Sequence, residues 1–175
     1  RISAEPGSWI FLPFGNAKEK LIEGTYNGLQ AYSKQGNDHW VFRQKITGFT
    51  ESSRVMAEEG DDALWITHGY KGVYRLSFND DLDSVTDVKY YGTEKGFPTP
   101  RLINVFKIHN DLLFTSESGV FKYNASRDRF ERDELFTPRL GGDIQLWSMQ
   151  EDGLGNIYFI GRNHIGFFQR SASGD

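Results

Sequence analysis

The sequence has no cysteine, no long apolar segment and no excess of basic residues, and each of these absences excludes a class of protein. Without cysteine, a disulfide framework, a thiol nucleophile and a cysteine-ligated zinc site are excluded. No apolar run approaches the roughly 20 residues of a membrane-spanning helix, so we expect no membrane contact within this segment. The 20 Lys and Arg against 24 Asp and Glu give a formal charge of -4. Nucleic-acid-binding domains have a basic excess instead, so no nucleic-acid partner is expected.

Aromatic residues and glycine are abundant in the chain. Aromatic side chains make up 15% of the 175 residues, and there are 19 glycines but only five prolines. Aromatic residues favour strands, and glycine favours the tight turns between them. The composition therefore indicates short strands in one all-β domain of ordinary size.

A repeat organises these strands. Four glycines, 44, 47 and 47 residues apart, each begin a short apolar and aromatic stretch. The four stretches are residues 28–32, 72–76, 119–123 and 166–170. Each follows two further apolar stretches joined by a turn, and in the first three units a fourth stretch comes after it. We expect the anchor glycines to need a positive φ or a close backbone approach where the second strand turns into the third.

Four short strands repeated about every 45 residues predict the blades of a β-propeller. We predict an all-β chain of about four four-stranded antiparallel units, the last of which lacks its outer strand. The approximate blades are 7–44, 50–92, 101–136 and 143–171, within a single segment 1–175. Large aromatic side chains would fill the space between blades; the candidates are Trp9, Trp65, Phe114, Trp147 and Tyr158. A β-sandwich of irregular strands is the alternative, but it gives no reason for a fixed period.

The incomplete last blade has a consequence for assembly. An open arc of blades exposes the apolar faces of its two terminal blades, and such surfaces drive association. We therefore expect the chain to be part of a longer propeller. In isolation, we expect it to associate with another copy of itself through these open blade faces.

Two stretches resemble the two-component regulator propeller repeat: residues 58–75 and 151–160. In order along the chain, that repeat has an acidic residue, a Gly-containing turn, an apolar residue, Trp-Ile and then a small residue or Thr. The repeat ends with Gly-Leu or Gly-Val and an aromatic residue two positions further on. Residues 24–32 match this last part of the pattern. The third unit departs from the pattern, because Leu113 takes the place of the Trp and residues 109–111 the place of the acidic glycine turn.

The resemblance implies a sensor. In that family the propellers form the extracytoplasmic part of hybrid two-component proteins or of related membrane-bound regulators, and several members sense breakdown products of complex glycans. The implied location is periplasmic or extracytoplasmic, within a membrane-anchored parent, and the implied ligand is an oligosaccharide. The 175 residues contain no kinase motif, so a signalling output would lie elsewhere in that parent.

The residues predict no catalytic or metal site. The four histidines, at positions 39, 68, 109 and 164, lack the spacing of a metal site. Acidic residues gather at 58–62, but on the predicted hairpin they form a solvated lip instead of two converging carboxylates. We therefore expect no catalytic residue, no metal, no cofactor and no enzyme activity in this segment. A propeller glycosidase or lyase is the weaker alternative.

Loops between the second and third strands are the predicted binding surface, because propeller ligands usually lie on loops at the ends of the central axis. The predicted ligand-binding residues are Tyr70, Lys71, Arg162 and His164. They offer an aromatic face for a sugar ring and donors for hydroxyl or acidic groups. Two alternatives stay open: these residues are simple hairpin tips, or the propeller is a protein-interaction scaffold that binds no small molecule.

Overall fold

The computed structural model describes residues 7–16, 18–36, 39–140 and 144–170. The chain divides into two compact units, Arg1–Tyr91 and Gly92–Asp175. Each unit contains two antiparallel sheets, and every sheet is built from consecutive strands. Sheets of consecutive strands are the connectivity of propeller blades, whereas a β-sandwich exchanges strands between its two sheets.

The first unit contains two four-stranded blades. The first blade consists of β1 (Ile10–Phe14), β2 (Lys20–Thr25), β3 (Gly28–Gln35) and β4 (His39–Ile46), and the second of β5 (Val55–Glu59), β6 (Ala63–His68), β7 (Gly72–Phe78) and β8 (Val85–Tyr91). Neighbouring strands in sequence are neighbours in each sheet. The predicted four-stranded unit is therefore confirmed here.

The core of the first unit lies between its two sheets. Ile22 and Leu29 of the first blade pack in one cluster with Leu64, Ile66 and Leu76 of the second. Strand side chains alternate between faces, so these residues mark the facing sides of the two blades. Strand β6 is buried on both faces from its first residue to its fifth, which explains why its sequence does not alternate with polar residues.

The second unit contains one complete blade and one three-stranded blade. The third blade consists of β9 (Asn104–Ile108), β10 (Asp111–Ser116), β11 (Gly119–Asn124) and β12 (Arg129–Arg132). The fourth consists of β13 (Leu146–Glu151), β14 (Ile157–Gly161) and β15 (Ile165–Phe168), and a short helix, α1 (Phe136–Arg139), precedes it. Among the described residues the last blade thus has three strands, so the predicted fold of propeller blades with an incomplete last unit is confirmed.

Two apolar clusters stabilise the second unit. On one face of the third blade, the ring centroid of Phe130 lies 4.2 Å from that of Phe97 and 4.6 Å from that of Phe114. Between the blades, Leu113 and Val120 pack with Leu146 in a second cluster. Aromatic rings bury a large area at a small cost in side-chain entropy, which suits strands of only four to six residues.

The anchor glycines behave as predicted in the first three blades. Gly28, Gly72 and Gly119 each begin the third strand with a positive φ, of +94°, +82° and +107°. In each case a Cβ would collide with the chain at or beyond the end of the fourth strand. Gly166 differs: it lies second in β15 without a positive φ, and a Cβ there would meet the ring of Phe159 instead.

The prediction for the five large aromatic residues is wrong for three of them. Trp65 and Phe114 are buried, but Trp9, Trp147 and Tyr158 are exposed. In β14, Ile157 points into the cluster shared with the third blade, so the alternation of a strand turns Tyr158 to the opposite face. That face has no second sheet within the unit. The predicted blade boundaries and the single-segment organisation stay predictions.

Candidate functional site

The predicted residues Tyr70 and Lys71 lie on the turn between β6 and β7, at the end of the second blade. His68 ends β6, and its Nδ1 accepts a hydrogen bond from the backbone N–H of Tyr70 at 3.0 Å. A nitrogen that accepts carries no proton, so the ring is neutral with its hydrogen on Nε2. Burial lowers the pKa of His68, which is consistent with the neutral form.

The carboxylate of Glu51 contacts two residues at this turn, Lys71 and His68. Glu51 belongs to the segment that joins the first blade to the second, and both of its oxygens accept from Lys71 Nζ, at 3.0 and 2.8 Å. Its Oε2 also lies 3.8 Å from Nε2 of His68. The carboxylate opposes the pKa lowering of His68, while the positive charges of Lys71 and Arg54 support it.

The phenol of Tyr74 lies near enough to Glu51 to be affected by its charge, and two further aromatic rings pack on Tyr74. The Tyr74 ring lies 5.2 Å from that of Phe49 and 5.4 Å from that of Tyr90. Burial, together with the charge of Glu51 and the neighbouring Tyr90, raises the pKa of Tyr74 to about 12. Its phenol therefore stays protonated at neutral pH. Tyr70, by contrast, is 72% exposed.

We call the group Glu51, His68, Tyr70, Lys71, Tyr74 and Tyr90 the Tyr70 cluster. It combines an exposed aromatic ring, a carboxylate acceptor and two nitrogen donors on the end of one blade. An aromatic face packs against the C–H face of a flat ring ligand, and a few polar groups beside it fix orientation. The cluster has the elements of a binding site and lacks a second carboxylate for acid–base chemistry.

The other predicted pair, Arg162 and His164, lies on the loop between β14 and β15 in the second unit. This loop is held by hydrogen bonds from Arg162 N–H to the Gln145 carbonyl at 3.1 Å and from Gly161 N–H to the His164 carbonyl at 2.8 Å. With Glu117 of the β10–β11 turn, the pair lines a cavity of about 160 Å³. Binding pockets for small molecules range from roughly 300 to 1,000 Å³, so this cavity accommodates a single polar group and not a whole sugar.

The acidic hairpin of the second blade lies at the turn between β5 and β6, as predicted, and Asp61 and Asp62 are exposed there. Glu58 forms an ion pair with Lys18, and Asp61 accepts a hydrogen bond of 2.5 Å from Asn16. These contacts join the turns of the first two blades. Among the described residues, no three or more His, Asp and Glu side chains gather as a metal site would require.

Sequence reasoning found the turn but missed half of the cluster. Tyr74 and Tyr90 lie within strands, where aromatic residues usually pack, and Glu51 lies between β4 and β5, outside the apolar stretches that define the repeat. The one available signal was the position of Glu51 shortly after the fourth strand, where the chain returns to the end of the next blade. The histidine at 68 was visible, but only its contacts distinguish it from an ordinary turn residue.

Comparison with known proteins gives a fold and no family. No protein-family model and no curated protein sequence matches this chain. Two crystal structures of the extracellular domain of BT4673 from B. thetaiotaomicron are similar, each with 18% sequence identity. BT4673 is assigned to a one component system in one structure and to a hybrid two component system in the other.

The similarity covers nearly all of this chain and a small part of those domains. It extends over 88% of the chain in one case, with a TM-score of 0.58, and over 94% in the other, with a TM-score of 0.60. The chain spans about a quarter of each domain, 25% and 26%. The propeller fold implied by the resemblance to the two-component regulator repeat is therefore confirmed. Within the described ranges, no helix is long and apolar enough to cross a membrane.

Proposed function

We propose that this chain is a ligand-binding segment of a bacterial extracytoplasmic signalling receptor of the two-component type, and that its ligand is an oligosaccharide. The observation that carries the proposal is the exposed ring of Tyr70, 6.4 Å from the His68 ring, on a turn where the Glu51 carboxylate pairs with the Lys71 ammonium. The likeness of fold to an extracellular domain of a signalling system supports the extracytoplasmic location. No catalytic role is proposed for the segment.

The Tyr70 cluster supplies the contacts that a sugar needs. The apolar face of a pyranose ring packs on Tyr70, while its hydroxyl groups donate to Glu51 and accept from Lys71 and from Nε2 of His68. Arg162 and His164 are proposed as a separate ligand-binding pair within the second unit, beside a cavity that holds a single polar group. Binding transmits a signal only if the ligand has different affinities for two arrangements of the receptor, which we propose to be two placements of its protomers.

Truncation of Tyr70 tests this proposal. We expect at least one of four neutral trisaccharides (maltotriose, xylotriose, arabinotriose and mannotriose) to bind the chain in calorimetric titrations. Tyr70→Ala should then weaken binding about tenfold, which corresponds to roughly 1.4 kcal/mol, because it removes the stacking face. Glu51→Gln should weaken it as well, since the amide is a poorer acceptor than the carboxylate.

Tyr26 provides the matched control. It lies on the corresponding turn of the first blade and is also exposed, but its ring packs edge-on against Trp9 at 4.8 Å. Tyr26→Ala should leave saccharide affinity unchanged. If none of the trisaccharides binds, or if both tyrosine variants lose affinity equally, the proposed oligosaccharide site is wrong.

We propose self-association through open blade faces as a second activity, in which a second copy of the chain is the partner. On the fourth blade, Ile160 pairs with Ile165 and Tyr158 with Phe167 across the β14–β15 hairpin, and all four side chains are exposed. Cross-strand partners share a face, so they form one apolar patch. On the first blade, Phe11 and Phe42 are exposed as well. Contiguous exposed apolar patches of this kind mark interaction sites.

Charges placed on this patch should prevent association. We expect the mass from light scattering to rise with concentration towards twice that of one chain. The double variant Ile160→Lys/Ile165→Lys should remain a monomer, because it would place two ammonium groups in an apolar interface. Thr86→Lys, on an exposed position of β8, is the control and should associate normally. A parent chain that stays monomeric at every concentration would contradict the proposal.

A further inference from the structure

A groove of about 740 Å³ lies at one end of the strands of the second unit. It is formed by the β9–β10 turn, helix α1, the β13–β14 turn and the chain that leaves β15. Its volume is within the range of small-molecule sites. The β13–β14 turn precedes β14 and the Arg162–His164 loop follows it, so the groove is at the other end of that strand from the small cavity described above.

The floor of the groove is apolar. Ile108, Phe136 and Ile157 line it and are buried. The Phe168 ring, which shares a face with Ile157 and is half-buried, packs edge-on against Phe136 with a centroid distance of 6.2 Å. A ligand that enters therefore meets aromatic and aliphatic surface, part of which is the accessible portion of the Phe168 ring.

The turns that border the groove are joined to each other. His109 and Asn110 both have positive φ, +49° and +65°, as the central residues of a two-residue hairpin turn require. The His109 N–H donates to Glu151 Oε2 at 2.6 Å, and His109 Nε2 lies 3.0 Å from the carbonyl oxygen of Gly155. These bonds fix the third and fourth blades relative to each other at this end, so the groove is formed before a ligand arrives.

Among the described residues that line the groove, basic side chains outnumber acidic ones. Burial alone would lower the pKa of Lys122, but its hydrogen bond to Asp111, at 2.9 Å, and the charges of Asp111 and Asp133 raise it. That lysine is thus charged and already paired. Arg139 and Arg170 also line the groove, and neither side chain has an ion-pair partner in the part of the chain that the structure describes. Two guanidinium groups consequently border an apolar floor.

We propose that this groove binds a carboxylate-bearing ring compound, with Arg139 and Arg170 pairing with the carboxylate and the accessible part of Phe168 packing on the ring. The planar guanidinium donates two parallel hydrogen bonds to a carboxylate, which makes arginine the residue suited to this recognition. An acidic sugar and an aromatic acid share this chemistry. The site is separate from the Tyr70 cluster, so this proposal does not depend on the trisaccharide result.

Two matched pairs of probes test the proposal on the intact chain by ligand-observed NMR and calorimetry. Glucuronate is compared with glucose, and phenylacetate with 2-phenylethanol. In at least one pair we expect the anion to bind about tenfold or more tightly than its neutral counterpart, because charge-assisted hydrogen bonds are about twice as strong as neutral ones. Binding of glucuronate alone identifies an acidic sugar, and binding of phenylacetate alone identifies an aromatic acid.

Substitutions locate the binding. Arg139→Gln and Arg170→Gln should each weaken binding of the anion about tenfold while leaving the thermal unfolding midpoint unchanged. Arg127→Gln is the control, because Arg127 is exposed outside the groove and pairs with Glu131 at 2.9 Å. The proposal is wrong if neither anion is preferred over its neutral counterpart, if the groove variants bind normally, or if Arg127→Gln reduces affinity as much as they do.

Discussion

Replacing Gly28 by alanine should destabilise the first unit by about 3 to 5 kcal/mol, the range of severe single substitutions. Gly28 begins β3 at φ +94°, and an alanine Cβ would lie 2.3 Å from the carbonyl oxygen of Phe49. Phe49 is itself buried in the core cluster. The backbone there cannot move away without disturbing the packing of two blades, so the clash adds to the cost of the left-handed conformation.

A substitution at Gly36 separates the free-energy cost of the left-handed conformation from that of the clash. Gly36 follows the end of β3 with φ +66°, and no described atom beyond its chain neighbours lies within 4 Å of the position of a Cβ. Gly36→Ala should therefore cost only about 1 to 2 kcal/mol, the ordinary penalty of the left-handed region. Urea unfolding followed by circular dichroism gives both values. If Gly28→Ala and Gly36→Ala lowered the free energy of unfolding equally, the close approach of Phe49 to Gly28 would not contribute to the cost of the substitution.

The repeat was readable from the sequence because it depends on local requirements. A glycine is needed wherever the third strand starts against the chain that leaves the fourth, and Gly28 and Gly72 both meet a backbone carbonyl oxygen there. The predicted turn at residues 109–111 was correct for a similar reason, since His109 and Asn110 adopt the positive φ of a tight hairpin. Gly166 shows the limit of this prediction. It has the spacing of the other anchor glycines, but its role is to leave room for the ring of Phe159.

Burial was harder to predict, because it depends on which face of a strand has a neighbour. The sequence shows Trp65 and Trp147 as equivalent aromatic residues of strands, yet one is completely buried and the other is 54% exposed. The candidate site was also only partly predictable, because some of its residues depend on how neighbouring segments of the chain are placed. Tyr70 and Lys71 lie on a turn that the repeat predicts, whereas Glu51 and Arg139 lie between the last strand of one blade and the first strand of the next, where the sequence carries no periodic signal.

The two tryptophans therefore allow a direct test of the architecture. Trp65→Ala should cost about 4 kcal/mol, within the range for removing a buried large aromatic side chain. The indole Nε1–H donates to Glu59 Oε2 at 2.9 Å, and Arg75 Nε donates to the same oxygen at 2.6 Å. The ring also lies 5.2 Å from that of Tyr91. The substitution thus removes packing and one of the donors that satisfy a partly buried carboxylate.

Trp147→Ala should cost less than about 1 kcal/mol, as expected for an exposed position, when unfolding is measured at micromolar concentration to suppress association. Trp65→Phe retains an aromatic ring but loses the N–H donor and part of the buried volume. We therefore expect a loss of about 2 to 3 kcal/mol, between those of the parent and of Trp65→Ala. If Trp147→Ala destabilised the chain as much as Trp65→Ala, the face of the fourth blade that carries Tyr158 would have to be covered in solution. In that case, loss of association and loss of stability should coincide in the Ile160→Lys/Ile165→Lys variant.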